Sequence, residues 1–280
     1  MSRNQVILIV ACIATIVALY IWSPTKKKVE EAPEVQSNNL ITNSSQSVIE
    51  QSETFLNTLE GGNKDSILAF TSQLKSAENA KQRVELHSKI ANAWVKEVQP
   101  GYAAYHLQQV AEILQTDSAY AAAGNVFVDA AKMSRDSTLN RQWYKNAINC
   151  YESATNIAPN NIEHQIKLSL CYVEGTKQPM VGVSNLLGLV KEHPNNPRVN
   201  LELGRLSILS GQFTKALPRL EKVLQQDTLQ AETLFLLGET YNGLGQKDKA
   251  IEAFSKCREL VDNPAFRQEI DIYINKIKNN

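Results

Sequence analysis

The sequence is poor in residues that break helices. Gly and Pro number 12 and 9 in 280 residues, too few for a chain built of turns and suited to a helical protein. Cysteine is scarce as well. Cys12, Cys150, Cys171 and Cys257 stand far apart, with no Cys-x-x-Cys pair and no clustered histidines. That spacing gives no support to a zinc site or a thioredoxin-like motif. Cys12 lies in an apolar N-terminal run. The other three are an odd number, which argues against an oxidising compartment and for small buried side chains. Net charge is absent too: 29 basic residues balance 29 acidic ones. The chain therefore has no global field that would attract nucleic acid. His87, His106, His164 and His193 form no His-Glu-x-x-His or other metal-ligand spacing, and His87 falls at a core position of its helix. No Gly-x-Gly-x-x-Gly, P-loop or nucleophile elbow occurs. The expectation is a protein that is not an enzyme and takes no metal or cofactor.

What is present begins with one uncharged run. Residues 6–22, VILIVACIATIVALYIW, carry no charge and as a helix would extend roughly 26 Å, within the range of membrane spans. Tyr20 and Trp22 close the run, where amphipathic rings favour the interface. Pro24 and Lys26, Lys27 and Lys28 follow. A retained transmembrane anchor is the preferred reading, behind a short tail at 1–5. A cleaved signal peptide and a lipoprotein signal at Ile9-Val10-Ala11-Cys12 are the alternatives. The first lacks a small-x-small site after the run, and the second has apolar residues continuing past the cysteine. Flanking charges leave the side of the membrane open: Arg3 stands on one side and three lysines on the other.

Residues 23–63 then read as a tether, rich in Glu, Ser, Asn and Gln, with no Lys or Arg from 29 to 63. Asn43-Ser44-Ser45 fits a glycosylation acceptor, a weak three-residue match. Ile49, Phe55, Leu56 and Leu59 suit a short helix within 48–59 that Gly61-Gly62 would end. A second, degenerate helix is expected over 64–83.

The dominant signal is a 34-residue repeat. Leu234, Leu237, Gly238 and Tyr241 are followed by Gly245, Ala250, Phe254 and Cys257, with Pro264 just beyond. Thirty-four residues earlier stand Leu203-Gly204, Gly211, Ala216, Leu220 and Val223. One register further back, Ile166 and Val173 precede Gly182, Leu186 and Leu189, with Leu170 in place of the first-helix glycine. Two irregular units come before. Tyr120, Ala123, Gly124 and Phe127 pair with Ala147, Tyr151 and Ala154, with about eleven extra residues around Trp143. Ile90, Ala91 and Trp94 pair with Ala103, Leu107 and Val110. Small residues would let two helices of a hairpin approach, and large ones would fill the space between hairpins. No hairpin buries its apolar face alone, so stacking is required. A stripe of Phe266, Ile270, Ile274 and Ile277 predicts a capping helix over 263–280, the alternative being an amphipathic partner or dimer helix.

These small and large positions resemble the tetratricopeptide repeat family over 84–262. The whole chain also resembles membrane-anchored tetratricopeptide proteins of Bacteroidetes bacteria. The resemblance implies an all-α superhelix of about five hairpins plus a cap, behind a single-pass anchor in a bacterial inner membrane. It implies a scaffold or adaptor whose first helices line a peptide-binding groove. Carried onto this sequence, the groove positions are Asn92 and Lys96, then Asn125 and Asp129, then His164, Lys167 and Glu174. Arg198, Leu201, Arg205 and Ile208 follow, then Glu232, Phe235, Glu239 and Asn242. Lys167, Arg198 and Arg205 would meet an acidic partner; Leu201, Ile208 and Phe235 would hold its apolar side chains, with Glu239 beside them. The bland alternative is a solvated face of mixed charge. The family's clamp for chaperone tails is not reproduced: Asn92 fits, but Ser88 stands where a Lys belongs and Ala122 where an Asn belongs. A structural, self-associating role, or service as an accessory subunit of an envelope enzyme or maturation machinery, are the other functions consistent with such an array.

Overall fold

A computed structural model describes residues 37–226 and 230–279. The expected anchor at 6–22 and the tether up to residue 36 lie outside these residues. Among the described residues no helix is long and apolar enough to cross a membrane, and none forms a strand. The chain divides into a unit ending at Ile49 and a second from Glu50 to Asn280. Of the first, the described residues are helical.

Thirteen helices are seen among the described residues. They are α1 (Ser37–Thr58), α2 (Gly62–Lys75), α3 (Ala80–Lys96), α4 (Pro100–Leu114), α5 (Asp117–Met133), α6 (Ser137–Ile157), α7 (Ile162–Gly175), α8 (Pro179–Glu192), α9 (Pro197–Leu209), α10 (Phe213–Leu224), α11 (Gln230–Gly243), α12 (Lys247–Leu260) and α13 (Pro264–Asn279). From α2 onward each helix packs on the next, and α9 also touches α11. Stacked hairpins whose first helices meet are what a tetratricopeptide-type superhelix requires.

Three local outcomes differ from the sequence reading. The helix expected over 48–59 is the longer α1. The helix expected over 64–83 breaks after Lys75, because the Asn79 side chain caps α3, accepting from the Gln82 N–H at 2.9 Å. The extra residues around Trp143 are not a protruding insertion. They lengthen α6, leaving a connection of only Ser134 to Asp136. Asp136 Oδ1 starts that helix by accepting from the Thr138 and Leu139 N–H groups at 2.6 and 3.2 Å. Trp143 is 5% exposed and stacked on Phe127 at 5.9 Å.

Close approach inside each hairpin depends on one small residue. A Cβ at Gly238 would stand 2.7 Å from the Phe254 ring, one at Gly204 2.8 Å from Leu220, and one at Gly124 3.0 Å from Tyr151. The third unit, with Leu170 at this position, inverts the arrangement. Gly182 on its second helix lies directly against the Ser169 carbonyl and Val173. At the far end Ile270, Ile274 and Ile277 of α13 are buried against Leu234, Ala250, Phe254 and Cys257.

The hairpin turns after α9 and α11 use glycine in the left-handed region, Gly211 at φ 70° and Gly245 at φ 74°. The turn after α3 has Val98 there, at φ 57°. A β-branched side chain crowds its own carbonyl in this region, at a cost of roughly 1–2 kcal/mol. Val98→Gly is therefore expected to raise the unfolding temperature by roughly 2–4 °C, measurable by calorimetry.

Between α3 and α4, the Nδ1 atoms of His87 and His106 lie 3.0 Å apart. Only one proton fits between them. Burial lowers both pKa values, His106 to about 3, with Arg83 adding to the effect on His87. Both folded values lie below the unfolded value of about 6.5, so the unfolded chain takes up protons first. The pair's contribution is complete above about pH 6.5 and declines as pH falls from there toward 3. The expected loss is at most about 1.4 kcal/mol per pH unit for each proton. Urea titrations from pH 7.5 to 5 should show a smaller decline for His106→Gln than for the wild type.

Candidate interaction surface on the first helices

The three regular hairpins present α7, α9 and α11 as first helices. Their register is set at the N-termini. Asn161 accepts from the Glu163 N–H at 3.1 Å. Asn196 accepts from the Val199 N–H at 3.0 Å, with Pro197 at the first helical position.

This register gathers one charged cluster. Glu202 of α9 is only 3% exposed. One of its oxygens is 3.0 Å from Arg198, four residues before it, and the other is 3.4 Å from Arg205, three residues after. Glu232 of α11 pairs with Arg205 and lies 3.9 Å from Arg198. Lys167 of α7 adds a positive field at Glu202. Burial outweighs these cations and raises the pKa of Glu202. Glu239, half-buried near Arg205, is raised for the same reason. A carboxyl whose folded pKa is raised contributes most below its unfolded pKa and loses that contribution as pH rises through the raised value. The cluster is thus not arranged for stability at neutral pH, in keeping with the desolvation cost of buried ion pairs.

The other expected groove residues separate. Leu201 is 0% exposed and belongs to the core with Leu220 and Leu237, so it cannot hold a partner's side chain. Ile208 packs on the same core. Phe235 lies edge-on to Phe254 at 5.4 Å and to Tyr273 of α13 at 5.5 Å, which makes it an anchor for the last helix. His164 is buried, its Nε2 2.9 Å from Asp117 Oδ2 and 2.9 Å from Asn161 Nδ2, and it ties α7 to α5. Glu174 accepts from the Tyr144 hydroxyl at 2.8 Å and pairs with Lys132 at 3.3 Å. Asn125 accepts from the Tyr151 hydroxyl at 2.7 Å. Asn92, Lys96, Asp129 and Asn242 remain exposed. Each departure has one cause: family positions carry over helix phase, whereas this chain spends several of those side chains on its own hairpin contacts.

Sequence reading missed Glu202, because a lone Glu in a helix reads as solvated. The signal was present in the Arg-x-x-x-Glu-x-x-Arg spacing, which puts both cations on the carboxylate's face. Among the described residues no group of three or more His, Cys, Asp or Glu side chains could hold a metal. Burial raises the thiol pKa of Cys150 and pushes Cys171 up to about 12, which leaves both unreactive. The Cys257 thiol donates to the Ala231 carbonyl at 3.1 Å.

Residues 207–268 match the tetratricopeptide repeat family. Over 143 residues the chain is 29% identical to lipopolysaccharide assembly protein B of Haemophilus influenzae. The match covers 49% of this chain but only 34% of that protein, about a third of its length. Among solved structures, the chain is similar to YrrB, described as a tetratricopeptide protein with an unusual peptide-binding site. The likeness has 21% identity and a TM-score of 0.42, over 72% of this chain and 97% of that one. MamA from Desulfovibrio magneticus gives 17% identity and a TM-score of 0.46, over 64% and 94%. A tetratricopeptide protein from Parabacteroides merdae gives 14% and 0.38, over 85% and 100%.

If Glu202 is held at a cost, neutralising it should not unfold the array. Glu202→Gln is expected to leave stability at pH 7 unchanged or raised, with the difference from wild type shrinking as pH falls toward the ordinary carboxylate range. Arg198→Ala combined with Arg205→Ala leaves a buried carboxylate unpaired and should cost about 3–5 kcal/mol in urea titrations.

Proposed function

We propose that this protein, which carries a tetratricopeptide repeat, is a membrane-tethered scaffold that captures an acidic peptide or helix on its first-helix face. One observation carries the reading: two arginines flank one buried carboxylate, Glu202. Their side chains remain 31% and 41% exposed, and their outer partner Glu232 is 38% exposed. A partner's carboxylate can take the place of Glu232 on Arg198 or Arg205 while Glu202 keeps both guanidinium groups oriented. Charge-assisted, two-pronged bonds of this type give geometric selectivity. Tethering through residues 6–22 would raise the local concentration of array and partner at one membrane, read here as a bacterial inner membrane. The likeness to lipopolysaccharide assembly protein B, although it spans a third of that protein, supports a partner within envelope assembly.

A self-associating role could use the convex face, the segment around Trp143 or the last helix, the last of these tested at Ile270 and Ile274. Both lie on α13 and are buried against α11 and α12, so changing them would detach the cap and would report nothing about a dimer.

The test is crosslinking in the native membrane, followed by mass spectrometry, on the full chain. Glu232→Gln, which releases the outer position on Arg205, is expected to increase partner recovery several-fold. Lys167→Glu is expected to reduce it without a change in unfolding temperature. Equal recovery from wild type and both variants would remove the first-helix face as the capture site. A reporter fused after Asn280 identifies the side of the membrane.

A further inference from the structure

The strained turn at Val98 lacks the usual compensation. Its hydrogen bonds are those of the glycine turns. Val98 N donates to Val95 O and Gln99 N to Trp94 O, both at 3.0 Å, as Gly211 N does to Ile208 O and Gln212 N to Ser207 O at 2.9 and 2.8 Å. The backbone therefore needs only a residue that accepts positive φ, and glycine serves that need in two sister turns. The valine side chain is not buried in return, since Val98 is 66% exposed. A persistent backbone outlier without a packing reason points to a contact outside the fold.

Val98 lines a cavity of about 210 Å³ with Pro100, Tyr102, Met133, Leu139 and Trp143. Tyr102 and Trp143 are buried and meet edge to face at 6.2 Å. Met133, like Val98, is largely exposed, at 58%. The cavity is smaller than the roughly 300 Å³ at which small-molecule sites begin, and it suits a single side chain. Lys96 at the end of α3, Arg135 in the α5–α6 turn and Arg141 near the start of α6 are exposed and, among the described residues, in no ion pair. Glu97 accepts from the Asn63 amide at 2.6 Å and Asp136 caps α6; both keep their charge, so three cations stand against two anions and the surroundings carry a net charge of +1.

We propose that this pocket, formed by the α3–α4 and α5–α6 turns and separate from the first-helix face, docks one apolar side chain of an acidic peptide segment. The cavity supplies the anchor, and the three cations supply complementarity to the flanking acids. A one-residue concavity selects a peptide over an anionic bilayer, which would meet a broad apolar face.

The test uses the full chain and an array of acidic nonapeptides that vary only a central residue, Leu, Phe, Met or Ser, read by fluorescence polarisation. Apolar centres should bind saturably and at least tenfold more tightly than Ser. Val98→Gly and Met133→Ser should abolish the preference, with Val98→Gly no less thermostable than wild type. Glu202→Gln should leave it intact. The proposal is overturned if no peptide binds, if Leu and Ser peptides bind alike, or if Val98→Gly retains the preference. It is equally overturned if Glu202→Gln abolishes the preference, which would move binding to the first-helix face. Phosphatidylglycerol vesicles that bind wild type but not Val98→Gly, with no peptide preference, would assign the pocket to a membrane and also overturn it.

Discussion

Everything in the second unit depends on how closely the two helices of a hairpin can approach. At Gly238 against Phe254, Gly204 against Leu220 and Gly124 against Tyr151, a missing Cβ lets a large side chain lie on helix backbone. That contact orients the hairpin, and the oriented hairpin presents its remaining apolar face to the next one. Where Leu170 occupies the small position, the constraint passes to Gly182 on the opposite helix. The rule is therefore a distance rather than a residue at a fixed place. The array ends when α13 covers the last apolar face with Ile270, Ile274 and Ile277.

Two features run against this economy. Glu202 is buried among cations yet has a raised pKa, and Val98 holds a conformation that glycine takes in equivalent turns. Neither improves the fold. Repeat proteins tolerate such local costs because stability sums over neighbouring units, and a deficit in one hairpin is carried by the hairpins that flank it. Both features lie where side chains remain accessible, one on the first helices and the other at the turns. Together they give the array two chemically distinct places, a guanidinium pair around a buried carboxylate and an apolar notch at the turns.

The periodicity made the hairpins legible because each small or large position repeats in three registers, so an error at one residue is corrected by the others. The breaks were harder to see. The start of α3 depends on one capping residue, Asn79, inside a polar stretch. The extra residues around Trp143 look like a loop until they are seen extending α6 by about two turns. The interaction surface was half legible. Arg198 and Arg205 share a face by helix phase alone, but Leu201, Phe235, His164 and Glu174 satisfy the same phase while serving the core or a neighbouring helix.

The sequence by itself determined the helical class, the 34-residue repeat, the capping stripe and the uncharged run at 6–22. All four are patterns along one chain, set by local spacing and by what water excludes. Only the tertiary structure decided which polar side chains are free. That choice depends on contacts between residues far apart in sequence, such as Arg205 with Glu232, His164 with Asp117 and Phe235 with Tyr273. It also revealed that Val98 stands where its sister turns place glycine, a comparison visible only in the backbone angles.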